Sequence, residues 1–249
     1  MDAWEKYLDA SLAVLEEIRK TQKDNIVAAA QLVADCTMKD GIVRVFGTGH
    51  SHTMADEVFY RAVTLANVQA ILEETATGNT EITKAGLVEK VEGYAPLIVK
   101  YHKIAPPDVA IVISNSGNNN MGIDFANACR EIGVPVIVLT NTAYSLTLKA
   151  RHSSGKRLME CGDVVVSNCS SMGDGTVAMK GLPMQVGPTS TIAGIYVIQA
   201  IMTQAVEIMT QQDFIPDVYY HGSRRINEPE IGVHNYGLVD KYYFRMKNL

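Results

Sequence analysis

Five short runs of apolar, mostly β-branched residues constrain the fold of this chain more than any other feature. The runs occupy residues 42–46, 68–72, 109–114, 135–140 and 163–167. Segments with a helical spacing of apolar residues lie between them, at 53–66, about 84–103, 120–132 and 142–150. A strand that is apolar at every position is buried on both faces, which is typical of a parallel sheet covered by helices. The alternation therefore predicts an α/β fold, a three-layer sandwich around a parallel sheet.

A long helix is predicted at the start of the chain. Trp4, Leu8 and Leu12 begin a series of apolar residues spaced three or four apart, and the series predicts a helical segment, straight or bent, over residues 2–36. This spacing places the apolar side chains on one face of a helix. Gly41 interrupts the pattern, so the helix is expected to end before the first strand.

The last part of the chain has a different character. Residues 213–249 show poor periodicity, several aromatic side chains and a charged, turn-like run at 222–232. No long linker rich in Pro, Gly or Ser separates this part from the rest. We interpret residues 1–212 as a single domain and residues 213–249 as an extended C-terminal tail that packs on its own or a neighbouring subunit.

Charge and composition exclude several classes of protein. The formal net charge of −5 and the pI near 5.7 favour neither nucleic acid nor an anionic membrane surface as a partner. The four cysteines form no C-x-x-C pair, and the first residues are acidic where a secretory signal is basic, so we expect a cytoplasmic protein. Residues 192–209 are apolar, but Gln199, Gln204 and Glu207 interrupt them. A buried or subunit-contacting helix is therefore favoured over a membrane span.

Two polar loops follow apolar runs and precede helical segments. The first loop is GTGHSH at 47–52, after the first run, and the second loop is SNSGNN at 114–119, after the third. In a sheet of order 2-1-3-4-5 the first and third strands flank the crevice in which ligands bind. Hydroxyls, amides and free helix N–H groups there favour an anion, and Gly117 allows close approach of the backbone. One such loop alone is usually a turn with an N-cap, but two at these strands favour a shared site.

Other motifs are weaker. The segment GPTST at 187–191 precedes the long apolar segment, where Thr189, Ser190 or Thr191 is either a helix cap or part of a site. The first loop lacks the third glycine of a dinucleotide fingerprint, and no phosphate-binding P-loop motif occurs, so no nucleotide cofactor is predicted. His50 and His52 are of a type that binds zinc, but alternate side chains on a short loop point apart, so no metal is predicted either.

Together, GTGHS at 47–51, SNSGNN at 114–119 and GPTST at 187–191 resemble the sugar isomerase (SIS) domain, a phosphosugar-binding family. The resemblance covers about residues 1–212 and is similar to a bacterial subgroup related to phosphoheptose isomerases, which also carries RHSSGK, here at 151–156. It implies a five-stranded, flavodoxin-like parallel sheet of order 2-1-3-4-5. It also implies a homodimer or homotetramer with sites near the subunit contacts.

The resemblance assigns the loops to a sugar phosphate. It implies that Ser51, Ser114, Asn115 and Ser116 hold the phosphate. The full expected phosphate-binding set is Gly49, His50, Ser51, Ser114, Asn115, Ser116, Gly117, Asn119, Thr189 and Ser190. Many members have Thr where Asn119 stands, and an amide also donates to phosphate.

Catalytic candidates follow from the chemistry of an aldose–ketose isomerase. Moving a proton between C1 and C2 through an enediol needs a base, and opening the sugar ring needs an acid. Glu57, on the helical segment after the first loop, is the predicted base, with a solvated helical glutamate as the alternative. The related isomerases use a histidine on the last helix, which is absent from 189–212 here. We therefore expect the imidazole to come from His152, His234 or His50.

The leading interpretation is an enzyme that isomerises a sugar phosphate without a cofactor. Two alternatives stay open: a non-catalytic, phosphosugar-sensing regulatory module, and a lyase or etherase acting on an amino-sugar phosphate.

Overall fold

The computed structural model describes residues 1–222 and 227–249. Its sheet has five parallel strands in the order β2-β1-β3-β4-β5. The strands are β1 (Val43–Gly47), β2 (Val68–Ile71), β3 (Val109–Ile113), β4 (Val136–Thr140) and β5 (Val164–Ser167). The predicted fold class, sheet order and strand positions are confirmed, with boundaries that differ by one residue.

Helices cover both faces of the sheet. They are α1 (Ala3–Thr21), α2 (Lys23–Met38), α3 (His52–Val58), α4 (Glu74–Thr77), α5 (Ile82–Val88), α6 (Ala95–Tyr101), α7 (Asn120–Glu131), α8 (Thr142–Thr147), α9 (Ser190–Thr210) and α10 (Pro229–Tyr242). Helices α1, α2, α3 and α9 share one buried cluster with Val45 and Ile111, whereas α6 and α7 share another with Phe46 and Val112. Consecutive strand residues face opposite layers, which explains why every strand position is apolar.

The helical segment predicted over residues 2–36 is present, and it is divided into two helices in the middle. Gln22 leaves the helical conformation (φ −110°, ψ 7°) and separates α1 from α2. Its side chain is buried, and Gln22 Oε1 accepts a hydrogen bond of 2.9 Å from the backbone N–H of Ser167 at the end of β5. A polar side chain that pairs with the end of a strand fixes the corner between the two helices.

Two further helical predictions are only partly right. The segment 53–66 is helical only in α3, and Tyr60 and Val63 then adopt positive φ values of 47° and 61°. The Val63 N–H donates to the Tyr219 carbonyl at 2.8 Å, so a tertiary contact holds this turn. The segment 84–103 is divided into α5 and α6, with Gly93 at φ 81° between them.

The C-terminal residues are not extended throughout, because α10 is a helix. The tail packs on its own chain at the amino ends of the first two strands, in a cluster of Ile42, Ala66, Tyr219, Leu238, Tyr242 and Met246. Asn248 Nδ2 donates to the Ala70 carbonyl at 2.9 Å and so pairs one backbone group of the edge strand β2. Residues 223–226 of the predicted turn-like run lie outside the described residues.

Helix α9 is the predicted apolar helix. Among the described residues, it is the one helix that is long and apolar enough to cross a membrane by length and composition. Within the protein, 44% of its most apolar 18-residue stretch is buried. Its buried side chains, among them Val197 and Ile201, belong to the core beneath the sheet.

Candidate functional site

A cavity of about 330 Å³ lies at the carboxyl ends of the strands. The first loop leaves β1 at Gly47 and the second loop leaves β3 at Ile113, and these two residues are paired across neighbouring strands. Both loops line the cavity, which we call the site cavity. The parallel sheet thus brings together two segments that are more than sixty residues apart in the sequence.

The first loop turns back sharply after β1. The N–H of Ser51 donates to the carbonyl of Thr48 at 3.1 Å, and Gly49 has φ 50°. A Cβ at Gly47 would lie 2.7 Å from the Ser51 carbonyl oxygen, so only glycine fits there. The turn places Thr48, Gly49, His50 and Ser51 on the cavity wall.

The second loop is held by backbone and side-chain contacts. The Ser114 N–H donates to the Leu139 carbonyl, and the Gly117 N–H donates to the Ser114 carbonyl, both at 3.1 Å. Gly117 has φ 60° and does not line the site cavity, because it faces Ser145 and Thr140 behind the loop. The loop thereby presents Ser114, Asn115, Ser116, Asn118 and Asn119 to the cavity.

Several donors on this wall are free to bind a ligand. Within residues 1–222 and 227–249, the hydroxyls of Ser51 and Ser114 make no hydrogen bond, and the Ser116 hydroxyl accepts one of 3.3 Å from the Asn118 N–H. Asn115 Oδ1 accepts hydrogen bonds from Asn168 Nδ2 at 2.9 Å and the Ser170 hydroxyl at 3.0 Å. The amide orientation is therefore fixed, and Asn115 Nδ2 is available as a donor. An anion with several oxygens is the chemical partner that such donors favour.

Charged side chains complete the lining of the site cavity. Lys90 and Arg151 supply cations and Glu89 and Asp174 supply carboxylates, and Tyr144 also lines the wall. None of these side chains belongs to the catalytic or phosphate-binding sets predicted above. Arg151 begins the RHSSGK run, which was the one sequence signal for this part of the wall.

Asn119 lines the site cavity, but its amide is already used. Asn119 Oδ1 accepts the Met121 N–H at 3.1 Å as the N-cap of α7. Asn119 Nδ2 donates to Glu89 Oε2 at 2.6 Å and to Thr48 Oγ1 at 2.8 Å. The side chain expected to bind phosphate thus holds a carboxylate instead.

Thr189 and Ser190 lie outside the site cavity. Asp174 Oδ1 accepts the N–H groups of Thr189 at 3.0 Å and Ser190 at 2.8 Å, and its second oxygen accepts the Ser190 hydroxyl at 2.7 Å. An aspartate carboxylate therefore occupies the amino end of α9. The GPTST segment does begin a helix, but Thr189 at the N-cap makes no side-chain cap hydrogen bond, and the capping group is Asp174.

Glu57 also lies away from the cavity wall. Glu57 Oε1 is 3.2 Å from Arg61 Nε and accepts a hydrogen bond of 3.2 Å from Gln199 Nε2 on α9. The preceding helix start is stabilised by His52, whose buried ring contacts the Gly49 carbonyl and lies 3.5 Å from Asp56. These contacts join α3 to α9 and to the first loop. Glu57, the predicted base, is not among the residues that line the site cavity.

His152 is buried beside Asp124 of α7 and does not line the cavity. Its Nδ1 accepts the Ser154 N–H at 3.1 Å, so Nε2 carries the proton and donates to Asp124 Oδ1 on α7 at 2.9 Å. Two hydrogen bonds from Ser153 lower the pKa of Glu92 and tie the same loop to the segment after α5. The histidine therefore fixes the loop that carries Arg151.

His234 lies at the other end of the sheet. It is on α10, and its Nε2 donates to the Val218 carbonyl at 2.9 Å. Its ring stacks on Tyr220 with centroids 3.8 Å apart. Val218 pairs with Leu65, just before β2, so within one chain His234 is at the amino ends of the strands and the site cavity at the carboxyl ends. In the part of the chain that the structure describes, no three metal-binding side chains cluster.

The comparisons with known proteins agree with this architecture. The family model described as SIS domain matches residues 6–141. A UPF0309 protein of Listeria monocytogenes is 37% identical over 240 residues, which cover 96% of each chain. A UPF0309 protein of Halalkalibacterium halodurans is 35% identical over 206 residues, which cover 83% of this chain and 85% of that protein.

Two solved structures share the fold at low sequence identity. The phosphoheptose isomerase GmhA of Neisseria gonorrhoeae superimposes with a TM-score of 0.53 and 19% identity, covering 80% of this chain and 95% of that one. The Vibrio vulnificus NanR protein, complexed with ManNAc-6P, superimposes with a TM-score of 0.52 and 13% identity, covering 99% of this chain and 71% of that one. At this identity the likeness concerns the fold.

Proposed function

Because this chain belongs to the SIS domain family, we propose that it binds a phosphorylated sugar in the site cavity and catalyses an aldose–ketose isomerisation of that sugar. The observation that carries the proposal is the convergence of free donors from both loops. Ser51, Ser114, Ser116 and the amide of Asn115 line one cavity with two cations. These groups match the several oxygens and the negative charge of a phosphate.

The size of the site cavity supports a small ligand. Its volume of about 330 Å³ lies near the lower end of the range for ligand pockets in proteins, roughly 300–1,000 Å³. A single sugar phosphate suits such a space better than a dinucleotide. The polar lining also fits a ligand rich in hydroxyls, because each buried hydroxyl needs a hydrogen-bond partner.

Isomerisation is the proposed reaction because the cavity wall carries both an anion-binding part and carboxylates. An aldose and its ketose interconvert when a base moves a proton between C1 and C2. The structural neighbour GmhA is a phosphoheptose isomerase by its name. No redox cofactor enters such a reaction.

A phosphosugar sensor is the second candidate. It is favoured by the positions of Glu57, His152 and His234, none of which lines the site cavity. The neighbour NanR, solved with ManNAc-6P, has the same fold. A sensor would bind the same ligands with the same donors but would leave their C–H bonds intact.

We also propose a cytoplasmic homo-oligomer. Helix α1 presents Trp4, Leu8 and Leu12 to solvent, with exposed fractions of 66%, 48% and 54%. A second copy of the chain that covered this face would remove apolar area from water. All four cysteines are free thiols, which suits a reducing compartment. Sedimentation velocity measures the assembly directly, and a monomer at micromolar concentration would contradict it.

The binding proposal is tested with fructose 6-phosphate, ribose 5-phosphate and sedoheptulose 7-phosphate, each compared with its unphosphorylated sugar. Isothermal titration is expected to detect at least one phosphate ester and none of the free sugars. Ser51→Ala and Ser116→Ala should each weaken binding about tenfold or more, since a hydrogen bond to a charged group contributes about 1.5–3 kcal/mol.

Ser11→Ala is the matched control, because the Ser11 hydroxyl donates to the Tyr7 carbonyl within α1, away from the site cavity. It should leave the affinity unchanged. The proposal is refuted if no phosphate ester gives heat, or if the loop variants bind as tightly as the Ser11 variant.

A further inference from the structure

We propose that Glu89 is the base that removes the proton from C2 of the bound sugar, and that Thr48 and Asn119 are its positioning residues. This inference rests on the proposed isomerisation. It assigns the chemistry to a side chain thirty residues before Asn119 in the sequence, outside both loops.

The first step of the argument concerns the orientation of Asn119. Its Oδ1 is fixed by the Met121 N–H at the start of α7, so its NH₂ group must point the other way. That group donates to Glu89 Oε2 at 2.6 Å. The backbone N–H of Met121 also donates to the Glu89 carbonyl at 3.1 Å, so the end of α5 is fastened to the start of α7. The glutamate is therefore held by both its backbone and its side chain.

The second step concerns the two carboxylate oxygens. Glu89 Oε2 accepts from Asn119 and also from Thr48 Oγ1, at 3.2 Å. The Thr48 hydroxyl in turn accepts a hydrogen bond of 2.8 Å from Asn119 Nδ2, so the three side chains are bonded to one another. Within the described residues, Glu89 Oε1 makes no hydrogen bond, although the residue lines the site cavity. One oxygen thus serves as the anchor, and the other is available to accept a proton.

The third step concerns where Glu89 lies relative to the serines proposed to bind the phosphate. Thr48 lies in the first loop with Ser51, and Asn119 lies in the second loop with Ser114 and Ser116. Ser51 follows Thr48 by three positions, so their Cα atoms are at most about 11 Å apart. Glu89 and these serines line the same cavity, so we infer that a sugar phosphate anchored on the serine hydroxyls has its carbon chain beside the Glu89 carboxylate.

The other carboxylates near the site have different partners. Both oxygens of Asp174 hold the amino end of α9. Glu57 pairs with Arg61 and Gln199 outside the cavity. Both oxygens of Glu92 accept hydrogen bonds from Ser153. Of these four carboxylates, Glu89 is the one that both lines the site cavity and has an oxygen without a hydrogen bond.

The reaction balances with this one base. Glu89 Oε1 takes the proton from C2 of the open-chain aldose, the C2–H electron pair forms the C1=C2 bond, and the carbonyl pair moves to the C1 oxygen, which gains a proton. Glu89 then returns its proton to C1 while the C2 hydroxyl loses one and becomes the carbonyl. Water carries the proton between the two oxygens, and no electron leaves the sugar.

The test measures exchange of the C2 or C1 hydrogen of the same sugar phosphates with deuterium from D₂O by ¹H NMR, and binding in parallel by ³¹P NMR. Glu89→Gln is nearly isosteric and keeps an acceptor for Asn119. It should reduce exchange at least hundredfold while the affinity changes less than threefold. Glu57→Gln is the matched control and should exchange like the wild type.

The outcomes separate the two proposals. Binding to no sugar phosphate refutes the proposed function itself. Wild-type binding without any exchange refutes Glu89 as a base and favours the sensor. Exchange in Glu89→Gln within tenfold of the wild type, or its loss in Glu57→Gln instead, refutes the assignment while leaving the isomerase intact. Circular dichroism spectra that match the wild type show that the variants are folded.

The positioning role has its own readout. Asn119→Ser keeps a good N-cap for α7 but removes the NH₂ group from Glu89, so kcat should fall at least tenfold with KM nearly constant. Thr48→Val should also lower kcat. Thr48→Ser keeps a hydroxyl at this position and should therefore have a kcat near that of the wild type. A purely structural role would leave kcat unchanged in Asn119→Ser, and that result would overturn the proposed network.

Discussion

The substitution Gly117→Ala tests why the second loop has its shape. Gly117 has φ 60°, a region that costs an L-residue about 1–2 kcal/mol. A Cβ there would also lie 2.7 Å from Ser145 Oγ and 2.8 Å from Thr140 Oγ1. Both hydroxyl residues are fully buried, so neither side chain can turn into solvent to make room. Overpacking of this kind typically costs a further 1–3 kcal/mol or so.

The two costs together predict a loss of about 2–5 kcal/mol in the free energy of unfolding. For a chain of this length, a loss near 3 kcal/mol lowers Tm by roughly 6–12 °C. Differential scanning calorimetry and urea unfolding measure the loss, at one protein concentration because assembly would shift the apparent stability.

Gly155→Ala is the matched control. Gly155 also has positive φ, 72°, but no atom lies within 4 Å of the position that a Cβ would occupy there. This variant should therefore show only the backbone cost, about 1–2 kcal/mol. The difference between the two variants measures the steric conflict. If Gly117→Ala is no less stable than Gly155→Ala, the argument from close packing behind the loop is wrong.

Three further predictions concern stability. Asp108→Ala should lower the free energy of unfolding by about 3–5 kcal/mol in urea titrations, because it leaves the buried Arg44 guanidinium without its 2.8 Å partner. The pKa of His102 is lowered to about 4 by burial and then by the charge of Arg44. Since the unfolded chain takes up this proton near pH 6.5, stability should fall as the pH decreases from about 6.5 to 4, and less so in His102→Asn. Gly86→Ala, in α5 with open space at Cβ, should raise Tm, since alanine favours a helix over glycine by roughly 0.5–1 kcal/mol.

Much of the architecture follows from local sequence. The apolar runs and the helical segments between them are sufficient to predict a parallel α/β sheet, because burial on both faces demands apolar residues at every strand position. The first and second loops were also recognisable, since their hydroxyl and glycine residues directly follow the runs that became β1 and β3. The break at Gln22 was not, because its cause is a hydrogen bond to Ser167, far away in the sequence.

Contacts between distant segments likewise decided the makeup of the site. Glu57 and His152 have the chemistry of acid–base catalysts, yet each is held by neighbours away from the cavity wall. Glu89 carries no motif, and it reaches the wall because α5 ends against the start of α7. Residue type and spacing indicate which element a segment forms, but they did not identify Glu89, Lys90 or Asp174 as the side chains that meet the two loops.

The sequence by itself determined the fold class and the two polar loops, because periodicity and turn chemistry act over a few neighbouring residues. Only the tertiary structure decided that Asn119 holds Glu89, that Asp174 caps α9, and that Asn248 of the tail binds the edge strand β2. Those pairings depend on hydrogen bonds between segments that meet only after the chain has packed around its sheet.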